Sequence, residues 1–347
     1  MLLEGIFPAI TTPFYPDGRL YLKKMEHNVE RYSRTPLAGL TILGSTGEAV
    51  MLSDEESRQI LRSAREAAAP EKVLIAGVAK ESVAETVRLA EYAADQQYDA
   101  LLVRTPAFYP YSSVDMLTYY RAVADRSPLP LIIYSIPKYT KYEMPVEIVA
   151  ELAQHSNIIG IKDSSGSVER IGALAAATRN APRREAPVTQ VFTMYTPRMM
   201  LAEAIGPENF VSAESLGGVA LAPPAPRVKV MRKKEVGFQV LTGAANQLFD
   251  CISVGATGGI LALGACAPQA CQEIYMAWKD NDPALAALKQ QRVAEASAVV
   301  LSKYGIPGIK HACDLNGYYG GRPRLPLLAL NADQQAEVAR VMAELRN

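Results

Sequence analysis

NIIGIKDSSG, residues 157–166, sets Ile158, Ile159 and Ile161 around a single glycine and then delivers Lys162, Asp163, Ser164, Ser165 and Gly166. A strand with one wet face alternates apolar and polar residues; this one does not, so both of its faces are covered. The lysine at its end admits two readings. Its stem could lie on the core while its charge stays in water, as lysines at strand edges do, or it could be a working amine. What the other strands bring to the same end decides between them.

Seven further apolar runs surround this one: GIFPAITTPF (5–14), LAGLTILGS (37–45), KVLIAGVA (72–79), DALLVRTP (99–106), LPLIIYSIP (129–137), FQVLTGAA (238–245) and GGILALGA (258–265). Between them lie amphipathic stretches such as SDEESRQILRSAREAAA (53–69) and SVAETVRLAEYAADQQ (82–97). In the first, Ser53 precedes Glu56 by three residues, the spacing of a capping box. Non-alternating strands each followed by a helix imply parallel strands buried on both faces, and eight such units predict an α/β fold, a closed (β/α)8 TIM barrel, over residues 1–265. An open doubly wound sheet is the competing architecture, but no GxGxxG follows the first run. Residues 266–347 carry helical patterns and are expected to form a C-terminal helical region, suited to joining subunits.

One segment breaks the rhythm. Residues 182–236 form an insertion containing APPAPR (222–227) and the basic run RVKVMRKK (227–234), which reads as a solvated surface rather than a nucleic-acid patch because it is short and lacks interleaved aromatics. QVFTMYTPRMMLAEAIGPENFVSA (190–213) aligns without gaps to QVLTGAANQLFDCISVGATGGILA (239–262) at five identities, so either could supply the seventh strand; 238–245 is preferred because it leads directly into the eighth. An insertion between a helix and the next strand belongs on the face opposite the catalytic loops.

Bulk composition narrows the function. Lys plus Arg and Asp plus Glu number 36 each, which gives no global electrostatic case for nucleic acid or an anionic membrane. Cys251, Cys266, Cys271 and Cys313 form no CxxC pair and read as free thiols of a reducing compartment. The three histidines are scattered, so no metal spacing arises, and no cofactor is expected. The start, MLLEGIFPAITTPF, lacks a basic n-region, and no apolar run is long enough to span a bilayer. A cytoplasmic enzyme with a small-molecule substrate is the expectation.

Active sites of such barrels form where strand C-termini meet their following loops. The second run ends GSTGE (44–48), whose backbone amides and two hydroxyls suit a carboxylate, though an ordinary βα turn would look similar. The fourth ends TPAFYPY, an aromatic cluster equally fit for an interface, and the fifth ends with Tyr134 in YSIP. An amine at the mouth of an apolar barrel is partly desolvated, which favours its nucleophilic form. Lys162 could then form a Schiff base with a ketone, Tyr134 relay protons, and GSTGE hold the carboxylate of a 2-oxo acid.

On these residues the sequence resembles the dihydrodipicolinate synthase / N-acetylneuraminate lyase family of class I pyruvate aldolases, across nearly the whole chain except the insertion. GSTGE matches the family's G[ST]xGE loop, YSIP its Y-x-x-P tyrosine and GIKDSSG its lysine segment, and the 28 positions from Tyr134 to Lys162 fit as well. The resemblance implies that Lys162 forms the imine, Tyr134 relays protons, and Ser45, Thr46 and Gly47 contact the pyruvyl carboxylate. Gly243 and Ile260 would line the pocket, and a homo-oligomer, dimer or tetramer, is implied.

Two departures bear on the substrate. The family's relay tyrosine after the fourth strand is Phe108 here, leaving Tyr109, Tyr111 or water as substitutes. The synthase branch's arginine, five residues after the strand-five tyrosine, is Tyr139. QHSNIIGIKDS, YGIPGIKHACDLNGYYGG (304–321) and RLPL (324–327) look most like 4-hydroxy-2-oxoglutarate aldolases, which release pyruvate and glyoxylate. Ser164 is then the expected contact for the substrate's hydroxyl or second carboxylate, with Lys138 or Lys141 as sources of charge. Dihydrodipicolinate synthase activity, a sugar-acid lyase or dehydratase, and a non-catalytic 2-oxo-acid-binding protein are the alternatives.

Overall fold

The computed structural model describes residues 1–188 and 232–345. Its strands are β1 (Gly5–Pro8), β2 (Gly39–Ile42), β3 (Val73–Gly77), β4 (Ala100–Arg104), β5 (Leu131–Ser135), β6 (Ile158–Asp163), β7 (Arg184–Val188), β8 (Arg232–Val236), β9 (Gln239–Thr242) and β10 (Gly258–Leu261). Eight of them pair in parallel in the order β1-β10-β9-β6-β5-β4-β3-β2. The ring closes between β1 and β2, where the Ile10 N–H donates to Thr41 O at 3.0 Å and the Ala38 N–H to Ile6 O at 3.1 Å. This is the (β/α)8 barrel expected from the eight apolar runs, and β9, within 238–245, takes the seventh place. The segment 190–213, its sequence rival, lies outside the described residues.

The absence of alternation in the strands follows from two separate cores. Inside the barrel, Leu3, Phe7, Ile75, Leu102, Ile132, Ile159, Leu241 and Ile260 form one buried cluster. Their strand neighbours Ile6, Leu74, Val103, Ile133, Ile161 and Val240 face outward into a second cluster shared with the helices. Each strand therefore buries both sets of side chains. The helix Asp54–Ala67 begins with the expected capping box: the Glu56 N–H donates to Ser53 Oγ at 3.1 Å and the Ser53 N–H to Glu56 Oε2 at 2.9 Å. Beyond β10, the helix Pro268–Lys279 packs on β1, the helix Pro283–Ser297 packs on it, and the helices Gly305–Leu315 and Ala332–Met342 pack on one another and on the short helices beside them. Among the described residues no helix is long and apolar enough to cross a membrane. All four cysteines are free thiols, and all four are buried.

The insertion begins and ends in an antiparallel hairpin, β7 against β8. Arg184 donates to Ser156 O at 3.3 Å and to Ile158 O at 3.4 Å, and Lys234 pairs with Glu4. Both attachments lie at the N-terminal ends of barrel strands. The hairpin thus stands on the face opposite the loops that follow the strands, where an insertion before a strand is expected.

Closure of the ring leaves no space at the β1–β10 seam. A Cβ on Gly258 would sit 2.0 Å from Gly5 O, and Gly5 itself has a φ of +103°. Gly258→Ala must push the two backbones apart; the expected loss is at least about 2–3 kcal/mol in denaturant unfolding, and an unchanged midpoint would show that the seam relaxes.

Candidate active site

The strand register builds the centre of the site. Tyr134 on β5 is the direct neighbour of Lys162 on β6. Alternation turns both inward, above the apolar plug of the barrel. Lys162 is 4% exposed and Tyr134 5%, and the lysine Nζ lies 4.0 Å from the centre of the tyrosine ring. The Tyr134 hydroxyl is 3.4 Å from Ser45 Oγ. An amine, a phenol and a hydroxyl thus meet at the barrel mouth, a set able to attack a carbonyl and move protons around it.

The strand end that carries Lys162 is held by the next residue. Asp163 is buried and accepts from Arg170 Nε at 2.9 Å and from the Ser165 N–H at 3.0 Å. Arg170 in turn donates to Met144 O at 2.5 Å. The polar run after the lysine therefore ties down the strand end. One step on, Ser164 and Gly243 meet: a Cβ on Gly243 would lie 2.0 Å from Ser164 Oγ, and the Gly243 N–H donates to Asp163 O at 2.7 Å. Glycine at 243 is required so that the serine can lie there. Ile260 is fully buried and forms part of the floor beneath these groups.

The GSTGE stretch is a 3₁₀ turn over Ser45–Gly47 that ends with Glu48 in left-handed backbone, φ 57°. Its Gly47 N–H is spent on Gly44 O and its Glu48 N–H on Ser45 O, at 3.0 and 3.1 Å. Ser45 and the buried Thr46 open the turn, while the N–H groups of Gly47 and Glu48 are engaged within it. The Thr12 hydroxyl donates to Gly47 O at 2.6 Å and pins the turn to the loop after β1.

Beneath the turn lies a group that the sequence reading did not identify. Glu48 Oε1 is 2.6 Å from Lys310 Nζ, and neither side chain has any exposure. Lys310 comes from the helix Gly305–Leu315 and also donates to Thr12 O and Arg322 O, both at 2.9 Å. Glu48 Oε2 accepts from the Arg324 N–H at 2.8 Å. The Arg324 guanidinium grips both oxygens of Glu56 at 2.6 and 2.8 Å and reaches Met51 O and Gly18 O. Hydrogen bonding from Arg324 holds the Glu56 carboxyl down at about 2. Burial pulls the Lys310 ammonium below its ordinary value, opposed by Glu48. The C-terminal region thereby supports the turn that carries Ser45 and Thr46.

Phe108, Tyr109 and Tyr111 are not drawn into the site. Phe108 and Tyr109 are 77% and 64% exposed, and Phe108 and Tyr111 each meet the Tyr109 ring edge to face. Lys138 and Lys141 are also at the surface: Lys138 lies over the Tyr139 ring, and Lys141 donates to Lys138 O.

The family model for the dihydrodipicolinate synthetase family matches residues 2–181 and 220–345. The chain belongs to that family. A 4-hydroxy-tetrahydrodipicolinate synthase of Methanothrix thermoacetophila is 26% identical over 345 residues, 99% of this chain and 97% of that one. The synthase of Xanthomonas axonopodis pv. citri is 37% identical over 176 residues, 51% of this chain and 58% of its own. Among solved structures, dihydrodipicolinate synthase of Bacillus anthracis matches with a TM-score of 0.80 at 20% identity, over the full length of both chains. A prophage protein of the dihydrodipicolinic acid synthase family from E. coli K12, solved in complex with pyruvate, gives 0.78 at 24% identity over 99% of each. At such identities the structural likeness speaks for the barrel alone. Family membership makes this chain a class I aldolase-like enzyme.

Two predictions follow from the buried pair and its neighbours. Lys310→Met leaves the Glu48 carboxylate buried without its partner and should cost about 3–5 kcal/mol, much of it restored by adding Glu48→Gln; additive losses in a double-mutant cycle would disprove the coupling. Glu56 has a folded pKa of about 2 against roughly 4.3 unfolded. Its contribution is fully present above the unfolded value and is lost as pH falls through the folded one. Glu56→Gln should therefore flatten the acid limb of the stability–pH curve between about pH 4 and 2, while an unaltered limb would assign acid unfolding to other carboxylates.

Proposed function

We propose that this protein is a Schiff-base-forming lyase of 2-oxo acids, with Lys162 as nucleophile and Tyr134 as proton relay. The observation that carries the reading is the Lys162 amine lying over the Tyr134 ring, with that tyrosine's hydroxyl beside Ser45. The amine attacks the C2 carbonyl of pyruvate, and loss of water leaves an iminium. Removal of a C3 proton then gives an enamine, with the imine nitrogen taking up the electron pair. The enamine attacks an aldehyde to form a C–C bond; run backwards, the same steps take a proton from the C4 hydroxyl, break C3–C4 and release the aldehyde. Tyr134 and Ser45 carry the protons, and Ser45 and Thr46 hold the carboxylate.

The named relatives support condensation of pyruvate with an aldehyde, the 4-hydroxy-tetrahydrodipicolinate synthase reaction, as the first reading of the substrate. Cleavage of 4-hydroxy-2-oxoglutarate is the second. It is favoured by Tyr139, which stands half-exposed where the synthase pattern has an arginine, and by Ser164 lying against Gly243, close to the lysine. Assembly into a homo-oligomer is part of the same proposal: the exposed Phe108 and Tyr109 give a second copy an aromatic surface to cover.

Incubation with pyruvate and borohydride should add one reduced pyruvyl group, mapped by mass spectrometry to Lys162. A folded protein that forms no adduct there would rule out the mechanism. Tyr134→Phe should retain the adduct but slow turnover by about 10²–10⁴-fold; an unchanged rate would remove the tyrosine from the relay.

A further inference from the structure

β4 also ends in a charged residue. In DALLVRTP the inward positions Ala100 and Leu102 belong to the core inside the barrel, and strand alternation puts Arg104 next on that face. Arg104 pairs in register with Tyr134, which pairs with Lys162. Three adjacent strands thus present an arginine, a tyrosine and a lysine at one level of the mouth. Arg104 lines a cleft together with Gly44, Ser45, Gly77, Lys80 and Tyr134.

A guanidinium at the rim of an apolar barrel is costly unless it is satisfied. Here the side chain is 16% exposed. Nη1 donates to Thr105 O at 2.6 Å and Nη2 to Glu81 Oε1 at 3.0 Å. Guanidinium groups carry five N–H donors in a planar fork suited to a carboxylate; these two bonds engage two of them. Glu81 is itself shared: its other oxygen accepts from the Ala107 and Phe108 N–H groups at 2.9 and 3.1 Å. The carboxylate therefore aims the guanidinium, while part of its own charge is taken up by the loop after β4. Lys80 in the same cleft is paired with Asp54 at 2.8 Å, which leaves Arg104 as the planar cation nearest the tyrosine in register.

We infer that Arg104 is a specificity-determining residue, receiving the second carboxylate of a dicarboxylic 2-oxo acid, or of a carboxylate-bearing aldehyde partner, while Ser45 and Thr46 hold the carboxylate next to the reacting carbonyl. The assignment rests on Lys162 as the imine-forming residue. It places substrate choice on β4, away from Tyr139, Lys138 and Lys141, which stand at the surface.

The test needs no knowledge of the natural substrate. 2-Oxoglutarate and 2-oxopentanoate have the same chain length and differ by a distal carboxylate against a methyl group. Each is titrated against pyruvate for borohydride-trapped adduct on Lys162. The wild-type protein should favour 2-oxoglutarate at least tenfold. Arg104→Met should cut that preference at least tenfold, and Arg104→Lys should keep part of it. No preference in the wild type, or the same preference in Arg104→Met, would overturn the role of Arg104. Wild-type protein that forms no pyruvyl adduct on Lys162 would instead overturn the underlying mechanism, so the two failures are told apart. Should Arg104→Met not fold, Arg104→Gln provides the uncharged comparison on the same readout.

Discussion

Lys310 and Glu48 meet out of solvent, and the turn that carries Ser45 and Thr46 rests on that contact. A buried ion pair is tolerated only where the remaining donors and acceptors are satisfied. Here the ammonium also holds Thr12 O and Arg322 O, and the carboxylate also takes the Arg324 N–H. The pair fixes Glu48 in left-handed backbone, a conformation that costs a non-glycine residue about 1–3 kcal/mol when nothing holds it. That turn of the chain directs Ser45 toward Tyr134. The C-terminal helices are therefore part of the framework of the turn.

The two halves of the site are held by different physics. Lys162, Tyr134 and Arg104 are placed by parallel register, with hydrogen-bond ladders on both sides and an apolar plug below. Ser45 and Thr46 are placed by a loop and need the electrostatic support beneath it. Carboxylates brace both halves: Asp163 with Arg170 and Glu81 with Arg104 at the ends of β6 and β4, and Glu56 with Arg324 and Glu48 with Lys310 under the loop.

The eight strands and their order could be read from sequence because burial on both faces erases polar alternation, and a run such as LPLIIYSIP has no other comfortable home. Lys162 and Tyr134 were legible for a related reason, since polar groups at the ends of such runs have only the barrel mouth to occupy. Arg104 carries the same signal in DALLVRTP, but an arginine before Thr-Pro reads equally as a strand reaching water. Lys310 was hidden more deeply. It lies in an amphipathic helix where a lysine is ordinarily solvated, and its partner is 262 positions earlier, so no local pattern joins them. Phe108 and Tyr109 are exposed in the single chain, and their placement depends on what covers them.

Arg104 and Tyr139 together frame the question of substrate. A cation at the loop after β5 and a cation on β4 would approach an imine on Lys162 from different directions, because Tyr134 stands between β4 and β6. With Tyr139 uncharged and turned to the surface, a distal carboxylate bound at Arg104 would pass across the Tyr134 side of the mouth. The forming or breaking C–C bond would then lie close to the phenol, and the hydroxyl or aldehyde oxygen on that bond would be within the reach of the Tyr134–Ser45 pair. Such a path makes one tyrosine serve both the imine and the aldehyde oxygen, which reduces the need for a second phenol where the chain has Phe108.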